Sequence, residues 1–377
     1  MLCQFVLLLF ANPAVIDAPL PGMPPVLDPK DIYAADHANQ LSPVVKSFPS
    51  YIYVPNTGSN RVDVINPKTF KIVGHFKVGR QPQHVTPSYD LKTLWALNDL
   101  GDSLTRIDPA TGKKRETVKV KDPYNMYYTP DGKFAIIVAE RVHQLDFRDP
   151  DTMRLKESLR VPCRGVDHLD FTADGRFLIA SCEFSAELLK VDVAKREVVG
   201  TLSLKAAGEH RPSHRPENSI EFNPNGMPQD VKTSPDGSVF YIADMVANGV
   251  YLVDPDAFHV IGFVPTGEGA HGLYPSRDSK LLYVSNRDEG SISVIDFATR
   301  KVVEKWQLPG RGSPDMGGVS TDGKVLWLSG RYNKEVYAID TQSGKLLARI
   351  RVGKGPHGLC VYPQPGRYSL GHTGVFR

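Results

Sequence analysis

Residues 228–237 read Pro-Gln-Asp-Val-Lys-Thr-Ser-Pro-Asp-Gly, a short strand-like stretch that ends on the Asp-Gly pair of a tight hairpin turn. Glycine supplies the positive φ such a turn needs. The phrase recurs as PQHVTPSYD at 82–90, PYNMYYTPDG at 123–132, VDHLDFTADG at 166–175, AHGLYPSRDS at 270–279 and PDMGGVSTDG at 314–323. A degenerate seventh copy, PHGLCVYPQPG, occupies 356–366. Self-similarity at a period of roughly forty residues marks a repeat architecture, in which each unit buries its faces on its neighbours.

Three further β-rich segments follow each copy, for example LLYV at 281–284, ISVI at 292–295 and KVVEKW at 301–306. Every third segment ends in a short polar residue: Asn66, Asp108, Asp146, Asp192, Asp254, Asp296 and Asp340. Such side chains are expected to accept backbone N–H groups of the following turn. The chain enters the pattern at YIYV, 51–54, on a second strand, and the seventh first strand arrives only at 357–363. The expected fold is therefore all-β, a seven-bladed β-propeller of four-stranded antiparallel blades spanning 50–377. The C-terminal first strand pairs with the N-terminal strands at 51–79, so that the ring has no open sheet edge.

The segments VPNTGSNRVDVINP at 54–67, VSNRDEGSISVIDF at 284–297 and GKGPHGL at 353–359 resemble the YVTN-repeat family of seven-bladed propellers, over roughly residues 50–365. The resemblance implies the fold. Similar propellers serve as surface or binding proteins, lactonases, a metal-dependent antibiotic lyase and haem-d nitrite reductase modules, so fold alone does not choose an activity.

The 45 basic and 42 acidic residues are interspersed without long like-charge runs, which argues against nucleic acid as a partner. The apolar run FVLLLFA at 5–11 is too short to span a bilayer and suits the core of a signal peptide at 1–18. No Lys or Arg precedes it, and Pro19 follows Ala18. An extracellular or periplasmic protein with no membrane span in its mature chain is the expectation. Residues 19–49 read as an N-terminal extension lying on the domain as a strap or tether.

In an antiparallel blade, the loop leading into the first strand and the loop between the second and third strands share one face of the disc. That face collects His84, Asn125, His168, Asp230, His271, Arg287, Arg331 and His357 as ligand-binding candidates. The four histidines are also candidate imidazole ligands for a divalent transition metal. Counted from the turn, His84 and His168 lie six residues before Asp90 and Asp174, whereas His271 lies seven before Asp278 and shares His-Gly-Leu with His357. Because strand side chains alternate, the two pairs are expected on opposite blade faces unless the strand ends twist, which disfavours a single four-histidine site. The competing structural reading is that a Pro-His-Gly histidine simply hydrogen-bonds a neighbouring loop.

Turn aspartates recur every 41 to 44 residues, except that Asp174 and Asp236 are 62 apart. The excess forms an inserted loop at 205–227 on the same face, with His210, His214, Glu217 and Glu221; Pro212 and Pro216 oppose the helix a His-x-x-x-His site would need. No Gly-x-Ser-x-Gly, Walker, dinucleotide, Cys-x-x-Cys-His or His-Glu-x-x-His motif occurs. The leading functional expectation is an exported propeller binding a small ligand or a metal on its polar face. One alternative is a metal-assisted lyase or lactone hydrolase using His271 or His357 with Asp230 or Asp315 as acid–base groups; another is an extracellular protein-interaction platform contacting a partner through loop 205–227. Cys163 and Cys182 fall on neighbouring strands of one blade, a bridge in an oxidising compartment and a reduced or soft-metal-binding pair elsewhere.

Overall fold

The computed structural model describes residues 19–204, 223–372 and 374–377. The signal-peptide segment 1–18, and most of the inserted loop with its two histidines and two glutamates, lie outside the described residues.

Seven antiparallel sheets follow one another round a ring. The fifth blade is representative, with strands Pro228–Thr233, Phe240–Asp244, Gly249–Asp254 and His259–Pro265 from the axis outward. The first blade is composite. Its innermost strand, Cys360–Tyr362, pairs with Tyr51–Tyr53 and closes the ring between distant parts of the chain. Apolar residues of facing sheets fill the gaps between blades, as where Tyr241, Val250 and Leu252 of the fifth blade meet Leu273, Leu282 and Val284 of the sixth.

Burial falls from axis to rim. The first strand Pro82–Pro87 is wholly buried, whereas the fourth strand Lys113–Lys119 of the same blade is almost wholly exposed. The buried first strands nevertheless carry His, Asp, Asn and Gln, because they line the central channel rather than an apolar core.

The hairpin after each first strand repeats one device. A Ser or Thr hydroxyl donates to the turn aspartate at 2.5 to 2.7 Å in six blades, from Ser88–Asp90 to Ser320–Asp322. The capping residues after the third strands accept turn N–H groups, as Asp296 does from Thr299 and Asp340 from Ser343. Asp146 departs from this expectation. Its strand runs on to Arg148, so Asp146 lies within the sheet and binds Arg148 and Ser158, while Asp149 takes over the turn through the Thr152 N–H.

The hairpin-turn face of the disc is covered. Residues 19–48 cross it as a strap held by backbone bonds from Leu20 to Asp174, Ile32 to Pro235 and Asn39 to Thr321, with Asp36 paired to Arg277 at 2.5 Å. Beyond the closing strand, the C-terminal tail turns into the channel from the same face. Ser369–Gly371 lies beside the first strand of the third blade, Asn125–Tyr128, and pairs with Val375–Phe376. Arg377 anchors the tail on Asp170 at 3.3 Å and lies over the Tyr33 ring of the strap.

Candidate metal centre

Five buried histidines converge on the axis: His84, His168, His271, His357 and, from the tail, His372. The His84 ring centroid lies 5.8 Å from His168, 4.8 Å from His357 and 5.3 Å from His372; His271 lies 6.2 Å from His168 and 6.1 Å from His357. The two pairs set apart by strand parity therefore share one channel. A β-bulge is the reason. The second, fourth, fifth, sixth and seventh blades each carry one extra residue at the leading end of the first strand, between Pro82 and His84 in one and Ala270 and Leu273 in another. A bulge breaks alternation, so consecutive positions can both face inward.

Parity survives as a division into two clusters. One ligand atom each from His84, His168 and His372 lie within 4.8 Å of one another, and so do those from His271, Asp315 and His357.

In the first cluster, each ring has its Nδ1 engaged. His84 Nδ1 lies 2.9 Å from the Tyr124 carbonyl, His168 Nδ1 meets the Asp167 carboxylate, and His372 Nδ1 meets the Asn125 amide, with Nδ2 at 3.1 Å and Oδ1 at 3.3 Å. The Tyr124 carbonyl only accepts, so His84 carries its proton on Nδ1 and its lone pair on Nε2, and His168 does the same when its Nδ1–H donates to Asp167; the His372 tautomer follows whichever end of the Asn125 amide its Nδ1 meets. All three Nε2 atoms are buried without a hydrogen-bond partner. Burial, the largest influence, holds His84, His168 and His372 below the usual histidine range, and mutual repulsion of His84 and His372 with His168 depresses those two further. Neutral imidazoles oriented through Nδ1 by a carbonyl, a carboxylate and an amide are how metal-binding histidines are prepared.

The surroundings favour a cation. Asp167, Asp230, Asp315 and Glu183 are buried about the channel, against the buried cations Arg287 and Lys232. Burial pushes Asp167 well above the carboxylate range, and Glu183 and Asp230 push it further in the same direction.

Asp230 also joins blades, accepting the N–H groups of Val231 at 3.0 Å and Leu273 at 2.9 Å. Asn125 holds His372 and caps the Met126 N–H. Arg287 pairs with Asp315 at 3.1 Å. Arg331 reaches Gln83 at 3.4 Å from a half-buried position at the mouth.

The chain matches the description "YNCE-like beta-propeller" over residues 32–203 and 223–366. It belongs to the YNCE-like β-propeller family. The uncharacterized protein YncE of Salmonella typhi is 24% identical over 291 residues, covering 70% of this chain and 73% of its own. Among solved structures of the same fold, a functionally unknown protein from Desulfotomaculum acetoxidans aligns with a TM-score of 0.67 at 15% identity, covering 82% of this chain and 98% of that one. Kuenenia stuttgartiensis hydrazine synthase aligns with a TM-score of 0.64 at 18% identity, covering 81% and 99%. At these identities the solved structures share the fold alone with this family member.

Sequence reasoning missed His372. It lies beyond the last repeat strand, so no equivalent position in another blade points to it; a histidine with no repeat role between Gly371 and Gly374 was the available signal. Cys163 and Cys182 are joined by a disulfide, with Cα atoms 6.0 Å apart.

Proposed function

We propose that this propeller binds a transition-metal ion at the centre of its ring through His84, His168 and His372, and presents it to a small ligand approaching from the mouth face. The observation that carries this reading is the trio of buried Nε2 atoms without hydrogen-bond partners, in rings whose Nδ1 atoms are held from behind. Orphaned buried polar atoms cost about 1–3 kcal/mol each, and a shared cation satisfies all three at once. Three neutral imidazoles suit zinc, copper or iron and leave coordination positions open for a ligand. Arg287 and Arg331 are the polar groups proposed to meet such a ligand, while Asn125 stays behind His372.

An extracytoplasmic setting fits the same reading. The signal-like run at 5–11 and the Cys163–Cys182 bridge both belong with an oxidising compartment.

Metal analysis of protein purified without chelators tests the reading. Bound zinc, copper or iron is expected in the wild type, and its loss in His84→Gln, His168→Gln and His372→Gln. A wild type that is metal-free and whose melting temperature is unmoved by any of these ions overturns it.

A further inference from the structure

We propose a second metal site directly above the first, made by His271, Asp315 and His357, so that the channel holds a pair of ions; this rests on the reading of the first site. The Asp315 carboxylate is bracketed by imidazoles, with His271 Nδ1 at 3.2 Å from Oδ1 and His357 Nε2 at 3.5 Å from Oδ2. The second distance is too long for a good hydrogen bond and leaves His357 and Asp315 facing each other across a gap. His357 Nδ1 is buried and without a hydrogen-bond partner, so no bond at that nitrogen accounts for the place of the ring on the axis. The Met316 sulfur, 3.1 Å from His271 Nδ1, adds a soft donor.

The repeat explains why there are two layers. Counted from the turn, His84 and His168 occupy one position, and Asp167, His271 and Asp315 the position before it. One residue of strand advances about 3.3 Å. That step is close to the ~3.5–4 Å that separates the ions of two-metal sites.

The layers differ in chemistry. The lower offers imidazole nitrogens only, whereas the upper mixes nitrogen and carboxylate oxygen and has Arg287 against it at 3.1 Å. Asp315 stands between Arg287 and the upper ion, but one carboxylate does not offset a guanidinium and two divalent ions, which calls for a further anion. The ligand class that follows is a small oxyanion bridging both ions, with Arg287 as its counter-charge.

The test uses full-length protein stripped with chelator and titrated with zinc, alone and with inorganic phosphate, with bound metal counted after gel filtration. Two equivalents are expected in the presence of phosphate, falling to one in His271→Gln, His357→Gln and Asp315→Asn. Near-UV circular dichroism of each variant separates lost binding from lost fold, and exchange coupling between two copper(II) ions in the wild type gives a readout independent of any variant. One equivalent or none in the wild type overturns the pair, as does a count of two that these three substitutions leave unchanged. Two equivalents in His372→Gln and His168→Gln alongside a loss in the upper-layer variants overturns the lower site and leaves the upper one standing.

Discussion

The two ends of the first strands start from the same repeat and meet different fates. At the hairpin-turn end, six blades use the same hydroxyl-to-aspartate bond, and the glycine or its substitute takes the same positive φ: Gly132, Gly175, Gly237 and Gly323, with Leu91 and Ser279 in the two copies that lack glycine. At the mouth end, the equivalent pairs are Gln83-His84, Tyr124-Asn125, Asp167-His168, Gln229-Asp230, His271-Gly272 and Asp315-Met316. What recurs in six of the seven blades serves the hairpin. What differs at a shared position serves the channel. Seven copies within one chain thus act as their own comparison set, separating architecture from chemistry.

The severest test of that contrast is to remove the closing strand. Truncation after Gly353 deletes both Cys360–Tyr362 and the tail, exposing the edge of Tyr51–Asn56 and emptying the turn-side mouth. Loss of cooperative unfolding by circular dichroism is expected; a soluble truncated protein with a sharp melt means the ring does not depend on its closure.

A second test acts at the mouth end only. Zinc at a free concentration one hundredfold above the Kd of the lower site should stabilise the wild type by about 2.7 kcal/mol through that site. In His372→Gln most of that gain should vanish while stability in chelator changes little, as read by urea unfolding. An equal zinc effect in both proteins removes the tail from the centre.

The third test acts at the turn end. Gly237 has φ +71°, and a Cβ there would approach the Ala173 Cβ to 2.6 Å. Gly237→Ala should cost about 1–3 kcal/mol from backbone strain, with metal content unaltered. A drop in bound metal would show that turn and mouth are coupled.

The smallest effect concerns the strap over the turn face. Burial raises the Asp36 carboxyl from 3.8 to about 6, against the pull of Arg277. A group raised on folding contributes stability at pH below its unfolded value and loses it as pH rises through its folded one. Hydrogen exchange in residues 32–41 should therefore quicken, relative to the rest of the chain, between about pH 4 and pH 7. Asp36→Asn should flatten that slope; an identical slope in both proteins assigns it elsewhere.

The blades, their number and the closing strand were legible because period-two strands are local signals repeated in all seven units, with an Asp-Gly turn in four of them. The mouth histidines were legible for the same reason. Their convergence was not, since parity counting assumes regular strands, and the bulges before His84 and His168 depend on pairing with the second strand. Asp146 misled because one blade extends its third strand by two residues, a shift no local motif announces. His372 and Arg377 act through contacts with Asn125 and Asp170, far away in sequence, and no spacing rule connects them.

The origin of His372 sets an order of events in biosynthesis. Two of the three proposed lower ligands emerge with the second and fourth blades, but the third is translated only after all seven repeats, and it reaches the axis only when the tail has turned back into the closed ring. On the proposed reading, a nascent chain bearing four or five blades holds two of the three imidazoles of the lower site. If the lower site holds a metal as proposed, its loading waits until the ring is complete, so bound metal in a cell would count finished molecules rather than partial ones.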